Sequence, residues 1–530
     1  MATSETTAAA PPVPGSLVEV PYRRKVLLVG ALTVTLFVTT MNQTVVATAA
    51  QSIVADIGGF HLFTWLFAGF ALTSAAAVPI VGKLSDLYGN KPVIITSLAL
   101  FLVASGACGA ALNMEQLLVA RAFQGIGFAG VMGCVWIIMA ALWEPKDRAK
   151  WMGVTAAGFT LSGVLGPVIG GTVSDALSWR WIFYLNLPVG GVAFFLLWTW
   201  FPGLAPQNRR GRFDIEGAIA FTVAISVALL ALSVGGEESG WTSPMALSMY
   251  AVAAIALALF IRFELRAEDP LIPLGLFRSR VFSGAMAASL TVTVAFVVTT
   301  VFLPLYVQGV RGQSATTSAL PLMTMAVGVA IGSNIAGQIL GRAGYVRVIS
   351  ASGLTLAAIT LAWMSTLAPD TPMILLVSAT LVLGLGVSFG FTSFTAPVQN
   401  AMPITVLGVV TTSLQLARVF GTALGAAALG ALLLAQISSH LGAGDGPRGA
   451  LADPEALVSE QQLAEIRQEF IAHPDLGEAD FEQALAESRV ALGDSLNAVF
   501  KASAVVTGIG IALAIFTFSA ARREDEPPGA

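Results

Sequence analysis

The chain has 530 residues, of which 56% are hydrophobic and 11% charged, and its formal net charge is −4. A soluble domain carries roughly 25% charged residues, so the composition excludes a soluble enzyme or binding module and indicates a polytopic membrane protein. No basic excess marks a nucleic-acid partner.

Residues 1–22 are rich in Ala, Pro and Thr and are expected to form a disordered tail. Arg23, Arg24 and Lys25 then precede a full-length first span, which reads as retained rather than cleaved. A span needs about 20 apolar residues. Fourteen such runs fall at about 26–50, 62–82, 92–112, 116–142, 151–175, 182–202, 216–235, 245–265, 282–307, 315–340, 347–367, 372–397, 406–435 and 495–519. An even number places both termini on one side. Nineteen Lys and Arg residues lie on that side against six on the other, which puts both termini in the cytoplasm of a multi-pass protein of the cell membrane. Cys108 and Cys134 lie in apolar runs and read as core thiols; no metal spacing and no cofactor motif is present.

Span one carries Met41-Asn42-Gln43-Thr44-Val45-Val46-Ala47-Thr48-Ala49, which sets two amides deep in an apolar run. Asn42 lies about eight residues from the outer end and Arg121 of span four about seven, so both sit roughly 10 Å deep at 1.5 Å per residue. Inserting an Arg costs about 2.5–3.5 kcal/mol. Arg121, followed by Gln124, Gly125 and Gly127, should therefore face a cavity or a partner; a structural hydrogen-bond hub is the alternative. Arg418, near the middle of span thirteen, poses the same problem. Between spans two and three runs Gly82-Lys83-Leu84-Ser85-Asp86-Leu87-Tyr88-Gly89-Asn90-Lys91, whose glycines permit tight turns and close helix approach. The spacing recurs after span ten as Gly337, Gly341 and Gly344, and Gly125/Gly127 of span four recurs as Gly384/Gly386 of span twelve, so the chain contains an internal repeat. Span five has Gly158, Ser162, Gly166, Gly170 and Ser174 at four-residue spacing, with Gly163, Pro167 and Gly171 beside them. Small residues at that spacing let helices pack backbone to backbone, and Pro167 is expected to kink the helix.

All 31 acidic residues fall in tails, loops or helix ends, so two deep arginines face no deep carboxylate. The cavity is expected to be neutral or positive and to favour neutral, zwitterionic or anionic amphipathic small molecules. Asp56, Glu115 and Asp175 are the first helix-end acids to test if a proton is carried. The segment 436–494 holds twelve acids against three arginines, and Phe481, Ala484, Leu485, Ser488, Ala491 and Leu492 follow a helical period, with Leu463, Ile466 and Phe470 marking a helix before them. It reads as a solvated external helical hairpin, or alternatively as a lid or docking surface for an external partner.

These blocks resemble the fourteen-helix drug:proton antiporters of the major facilitator superfamily over nearly the whole chain. The Met41–Ala49 segment is similar to their first-helix motif, with Asn42 where an Asp is usual. The Gly82–Lys91 loop is similar to their gating loop, with Asn90 where an Arg is usual. Gly163-Val164-Leu165-Gly166-Pro167-Val168-Ile169-Gly170-Gly171 resembles the exporter motif, and Trp179-Arg180-Trp181-Ile182-Phe183-Tyr184-Leu185-Asn186 is the most specific block. The resemblance implies an all-α fold: a six-helix half over 23–202, an inserted helix pair within 203–281, a second half over 282–520 and a tail over 521–530. It also implies roles. Gly82, Asp86, Gly89, Lys91 and Arg148 would form the gating loop, with Asp86 against a helix terminus and Arg148 as its partner. Asn42, Gln43, Arg121, Gln124 and Arg418 would meet substrate or coupling proton, and span five would hinge. The expected function is export of amphipathic small molecules by alternating access, driven by an ion gradient. The alternatives are an uncoupled facilitator or a lipid or metabolite exporter, and a scaffold or sensor acting through 436–494.

Overall fold

A computed structural model describes residues 20–58, 62, 65–202, 213–235, 243–313, 315–340, 346–402, 406–441, 447–451, 454, 456–457, 460–473 and 477–524. Residues 1–19 of the expected 1–22 tail, 525–530 of the expected 521–530 tail, the linker 203–212 and the repeat glycines Gly341 and Gly344 lie outside them, and Tyr22 already belongs to the first helix. The described chain is helical: α1 (Tyr22–Ile57), α2 (Trp65–Tyr88), α3 (Asn90–Gly109), α4 (Met114–Leu142), α5 (Pro145–Ala176), α6 (Arg180–Tyr184), α7 (Asn186–Trp200), α8 (Ile215–Gly235) and α9 (Pro244–Glu264). After a 3-10 turn at Leu274–Arg278 follow α10 (Arg280–Val297), α11 (Leu303–Leu305), α12 (Ala315–Leu340), α13 (Val346–Met364), α14 (Met373–Ala401), α15 (Leu407–Leu441), α16 (Pro447–Ala450), α17 (Glu460–Ala472) and α18 (Glu478–Glu524). Pro304 lacks an N–H and sits between two π turns, Val298–Phe302 and Tyr306–Val310, that carry α10 on to the end of its span.

Twelve segments among the described residues are long and apolar enough to cross a membrane. Twelve of the fourteen expected runs are among them, all but the fifth and the seventh. Parts of α5, a helix of 32 residues, and of α8, which is apolar over Ile215–Ala231, lie outside the described side chains.

Helices α1 to α7 pack into one bundle and α10 to α18 into another; the two meet through α2 against α15 and α5 against α12. The glycine repeat has the same packing role in each. Gly125 of α4 lies against the Phe70 carbonyl of α2, and Gly127 against the Phe101 backbone of α3. Gly384 of α14 lies against Met325 and Val329 of α12, and Gly386 against Gly353 and Ala357 of α13. A Cβ at any of the four would strike backbone, so the α2–α4–α3 and α12–α14–α13 contacts both depend on having no side chain there. α8 and α9 pack on each other and, through α8, on α2 and α15.

The 436–494 region corrects one expectation. α17 is the first amphipathic helix, but the second is no separate element: α18 runs unbroken for 47 residues and includes the last span. Its Phe481 meets Phe470 of α17 edge-on at 5.6 Å, Arg467 pairs with Glu478, and Leu485, Leu492, Ile466 and Leu457 are buried in the core of the second bundle.

Candidate functional site

Arg121 is 1% exposed and stands at the centre of the first bundle. Its Nη1 donates to Asn42 Oδ1 at 3.0 Å and to Gln124 Oε1 at 2.9 Å, and its Nε donates to the Leu66 carbonyl at 3.3 Å. The guanidinium also lies 4.3 Å from the Phe70 ring centroid. Hydrogen bonds to a charged group contribute about 1.5–3 kcal/mol each, so three acceptors offset an insertion cost of about 2.5–3.5 kcal/mol. The guanidinium only donates, which turns both amide oxygens toward it and both NH2 groups away. Asn42 Nδ2 and Gln124 Nε2 are accordingly buried with no partner among the described residues. The cluster is thus surplus in donors. Gln43, one residue on, is exposed and stands outside the cluster.

Arg418 is half-buried in the other bundle. Its Nη2 donates to Thr395 Oγ1 at 2.5 Å and to the Phe391 carbonyl at 3.1 Å, and its Nη1 to Gln415 Oε1 at 3.2 Å. These partners belong to α14 and α15, and the Arg418 Nε is buried without a partner among the described residues.

The face where α1 begins is closed. Asp86 at the end of α2 is 6% exposed and accepts from the backbone N–H groups of Gly408 at 3.1 Å and Val409 at 3.2 Å. These are the second and third residues of α15, so Asp86 caps that helix from the other bundle. A side-chain cap contributes about 0.5–2 kcal/mol, and a carboxylate at a helix N-terminus about 0.3–1 more. The sum is a modest link between the two bundles. The expected helix terminus is therefore present, but the expected Arg148 partner is not. Arg148 donates instead to Asn400 Oδ1 of α14, a second link between the bundles. Gly82 and Gly133 close on Thr412, and Gly153 on the Ser333 backbone of α12. Lys91 donates to the Phe201 carbonyl at 2.7 Å, and Gly89 supplies the positive φ of 87° that turns α2 into α3. Ser85 bonds the buried Asn90 side chain. The Asp86 and Arg148 hydrogen bonds between the bundles both lie at this face.

The span-five stripe packs against α1. Gly158, Gly166 and Gly170 lie under Thr33, Thr44 and Thr48, where a Cβ would collide, and Ser162 Oγ bonds Thr40 Oγ1 at 2.6 Å. Gly163 and Gly171 face no atom within 4 Å, and α5 is helical through Pro167. The threonine row of α1 that meets this stripe went unnoticed in the sequence; its spacing of Thr33, Thr40, Thr44 and Thr48 was the available signal. At the opposite face Trp179 Nε1 donates to Asp56 Oδ2 at 3.0 Å, and Arg180 pairs with the same carboxylate while donating to the Ala111 carbonyl at 3.2 Å. The Arg180 and Trp179 hydrogen bonds hold the Asp56 carboxyl below the usual range.

Two helical bundles in a membrane-scale fold, closed at one face over a buried polar cluster, define a membrane transporter rather than an enzyme. A family model described as Major Facilitator Superfamily matches residues 31–426, and the chain belongs to that family. It is 35% identical over 420 residues to the multidrug transporter protein MdtP of Bacillus subtilis, covering 79% of this chain and 77% of that one. It is 32% identical over 435 residues to multidrug resistance protein 3 of the same organism, covering 80% and 85%. A solved structure, the human organic anion transporter MFSD10 (TETRAN), superposes with a TM-score of 0.58 at 12% identity over 92% of this chain and 99% of that one, a likeness of fold alone.

Proposed function

We propose that the protein exports amphipathic small molecules by alternating access, with fourteen spans in which α8 and α9 form a pair inserted between two six-helix halves. The observation that carries this reading is the Asp86 cap on α15, a small, reversible link between the two moving bundles on the side of a buried polar cluster. The multidrug names of the two Bacillus relatives support efflux. The donor surplus around Arg121, with no acid among its partners, favours neutral, zwitterionic or anionic substrates carrying a hydrogen-bond acceptor. In this reading the Asp86 face is cytoplasmic, the molecule is closed inward, and α17 stands outside the cell. Cysteines placed at exposed positions such as Gln468 should then react with an impermeant maleimide on intact cells. Reaction only after permeabilisation would overturn the orientation.

The decisive measurement is efflux from reconstituted vesicles with and without a pH gradient, on the native protein and on Asn42→Asp. The variant places a carboxylate beside a buried guanidinium, which favours its charged form. It should gain transport of cationic dyes and a steeper pH response. A native protein already strongly proton-driven, together with an Asn42→Asp variant of unchanged pH profile and cation selectivity, would sink the substrate assignment.

Asp56 gives a prediction of the opposite kind. Its folded pKa is depressed, so its contacts are complete above the ordinary carboxylate value of about 3.9 and are lost only as pH falls through the lower folded value. Asp56→Asn should therefore leave the shape of the efflux pH profile between about pH 5.5 and 8 unchanged. A profile flattened by this substitution would make Asp56 the proton carrier.

A further inference from the structure

Lys83 lies near the end of α2, three residues before Asp86, and is 4% exposed. Its Nζ pairs with Asp269 and donates to the Pro270 carbonyl at 2.8 Å. Both partners belong to the segment that leaves α9 and leads through the 3-10 turn into α10. That segment is itself held. Glu264 at the end of α9, 4% exposed, accepts from the Ile272 N–H. Leu271 and Ile272 are buried in one apolar cluster with Ala75 of α2, Phe221 and Ile225 of α8, Phe260 of α9, and Val409 and Leu416 of α15. The segment thus lies across the α2–α15 seam that Asp86 closes, and Lys83 is its polar fastening to the first bundle.

Residues three apart on a helix are neighbours. While the seam is shut, Asp86 takes its hydrogen bonds from α15 and Lys83 takes its carboxylate from Asp269. When α15 withdraws, Asp86 loses both backbone donors, and its charge is left without a partner from the second bundle. Lys83, one turn back on the same helix, is a cation that can reach it.

Building on the alternating-access reading, we propose that Lys83 is a switch cation shared by two carboxylates: it clamps Asp269 while the gate is shut and passes to Asp86 as the gate opens, releasing the α9–α10 segment. Lys83 and Asp269 are then positioning residues for transport, and the α8–α9 pair is a brace that is latched in one state only.

The switch differs from a static brace in what each partner's loss does. Thr412→Cys, in a Cys108→Ala/Cys134→Ala background, reports opening, because Thr412 is buried against Gly82 and Gly133 in the shut seam. Asp269→Asn removes the clamp but leaves Lys83 for Asp86, so maleimide labelling from the Asp86 face should rise about threefold or more. Lys83→Gln removes a partner from both states, so labelling should stay within about a factor of two of the parent. Equal labelling of the two variants, or no rise in Asp269→Asn, overturns the proposal.

If either variant folds poorly, Lys83→Cys/Asp269→Cys bridged by a short bifunctional, reducible thiol reagent supplies the second measurement. Bridged protein should lose about tenfold or more of its transport rate and recover it on reduction, while still binding a fluorescent dye. Bridged protein that transports at the reduced rate overturns the switch. Native vesicles that move no dye would refute export itself, whereas the labelling comparison would still decide between switch and brace.

Discussion

Gly408→Ala is expected to hold the gate open and to cut transport by about tenfold or more. A Cβ at this position would collide with the Asp86 carboxylate and come within 2.7 Å of the Gly82 carbonyl. Overpacking of this kind costs about 1–3 kcal/mol, and each 1.4 kcal/mol is a factor of about ten in the balance of states. The cost falls on the shut state alone, because the two surfaces part when the gate opens. Efflux should fall while labelling of Thr412→Cys from the Asp86 face rises. Gly163→Ala is the matched control: it has no atom within 4 Å and should transport near the native rate. Native efflux in Gly408→Ala would mean that the α2–α15 contact is not cycled during transport.

Arg121 should be the least replaceable residue in the chain. Arg121→Ala leaves the acceptors of Asn42, Gln124 and Leu66 unsatisfied, at about 1–3 kcal/mol each, so its first effect is a lower yield of folded protein. Arg121→Lys is the sharper test. It keeps the charge but loses the planar fork that reaches Asn42 and Gln124 through Nη1 and Leu66 through Nε. Efflux per folded molecule is expected to fall at least about tenfold, with thermal stability changed far less than in Arg121→Ala. If Arg121→Lys transports normally, the cluster is a structural hub and the substrate acceptor binds elsewhere.

Much of this was legible in the sequence because buried charge is rare in a membrane and depth can be counted. Eight residues from one end and seven from another were enough to set Asn42 beside Arg121. The Gly125/Gly127 and Gly384/Gly386 pairs were equally legible, since a missing side chain at a fixed spacing has one physical use in helix packing. What escaped is what counting cannot reach. Residue depth does not give direction around a helix, so Gln43 was grouped with Asn42 although the two side chains point apart. Loop charges do not reveal their partners either. Arg148 has the right sign for Asp86, but Asp86 meets only the helix terminus that the resemblance implied, and Arg148 bonds Asn400 instead. The continuity of α18 from the polar stretch into the last span was missed because the two differ in composition while their backbone is one helix.

That unbroken helix has a practical consequence. At 1.5 Å per residue its 47 residues span about 70 Å, more than twice the hydrocarbon core of a bilayer at about 30 Å. Its N-terminal third packs on α17 and the rest on α10, α13 and α15. A dye attached near Gln483 would therefore be carried as if on a rod fixed to the second bundle. Paired with a dye on Leu112, between α3 and α4 of the first, it would form an optical ruler in which any rocking of one bundle against the other appears as a change in distance. Single molecules could be watched through a transport cycle with no label near Arg121 or the gate.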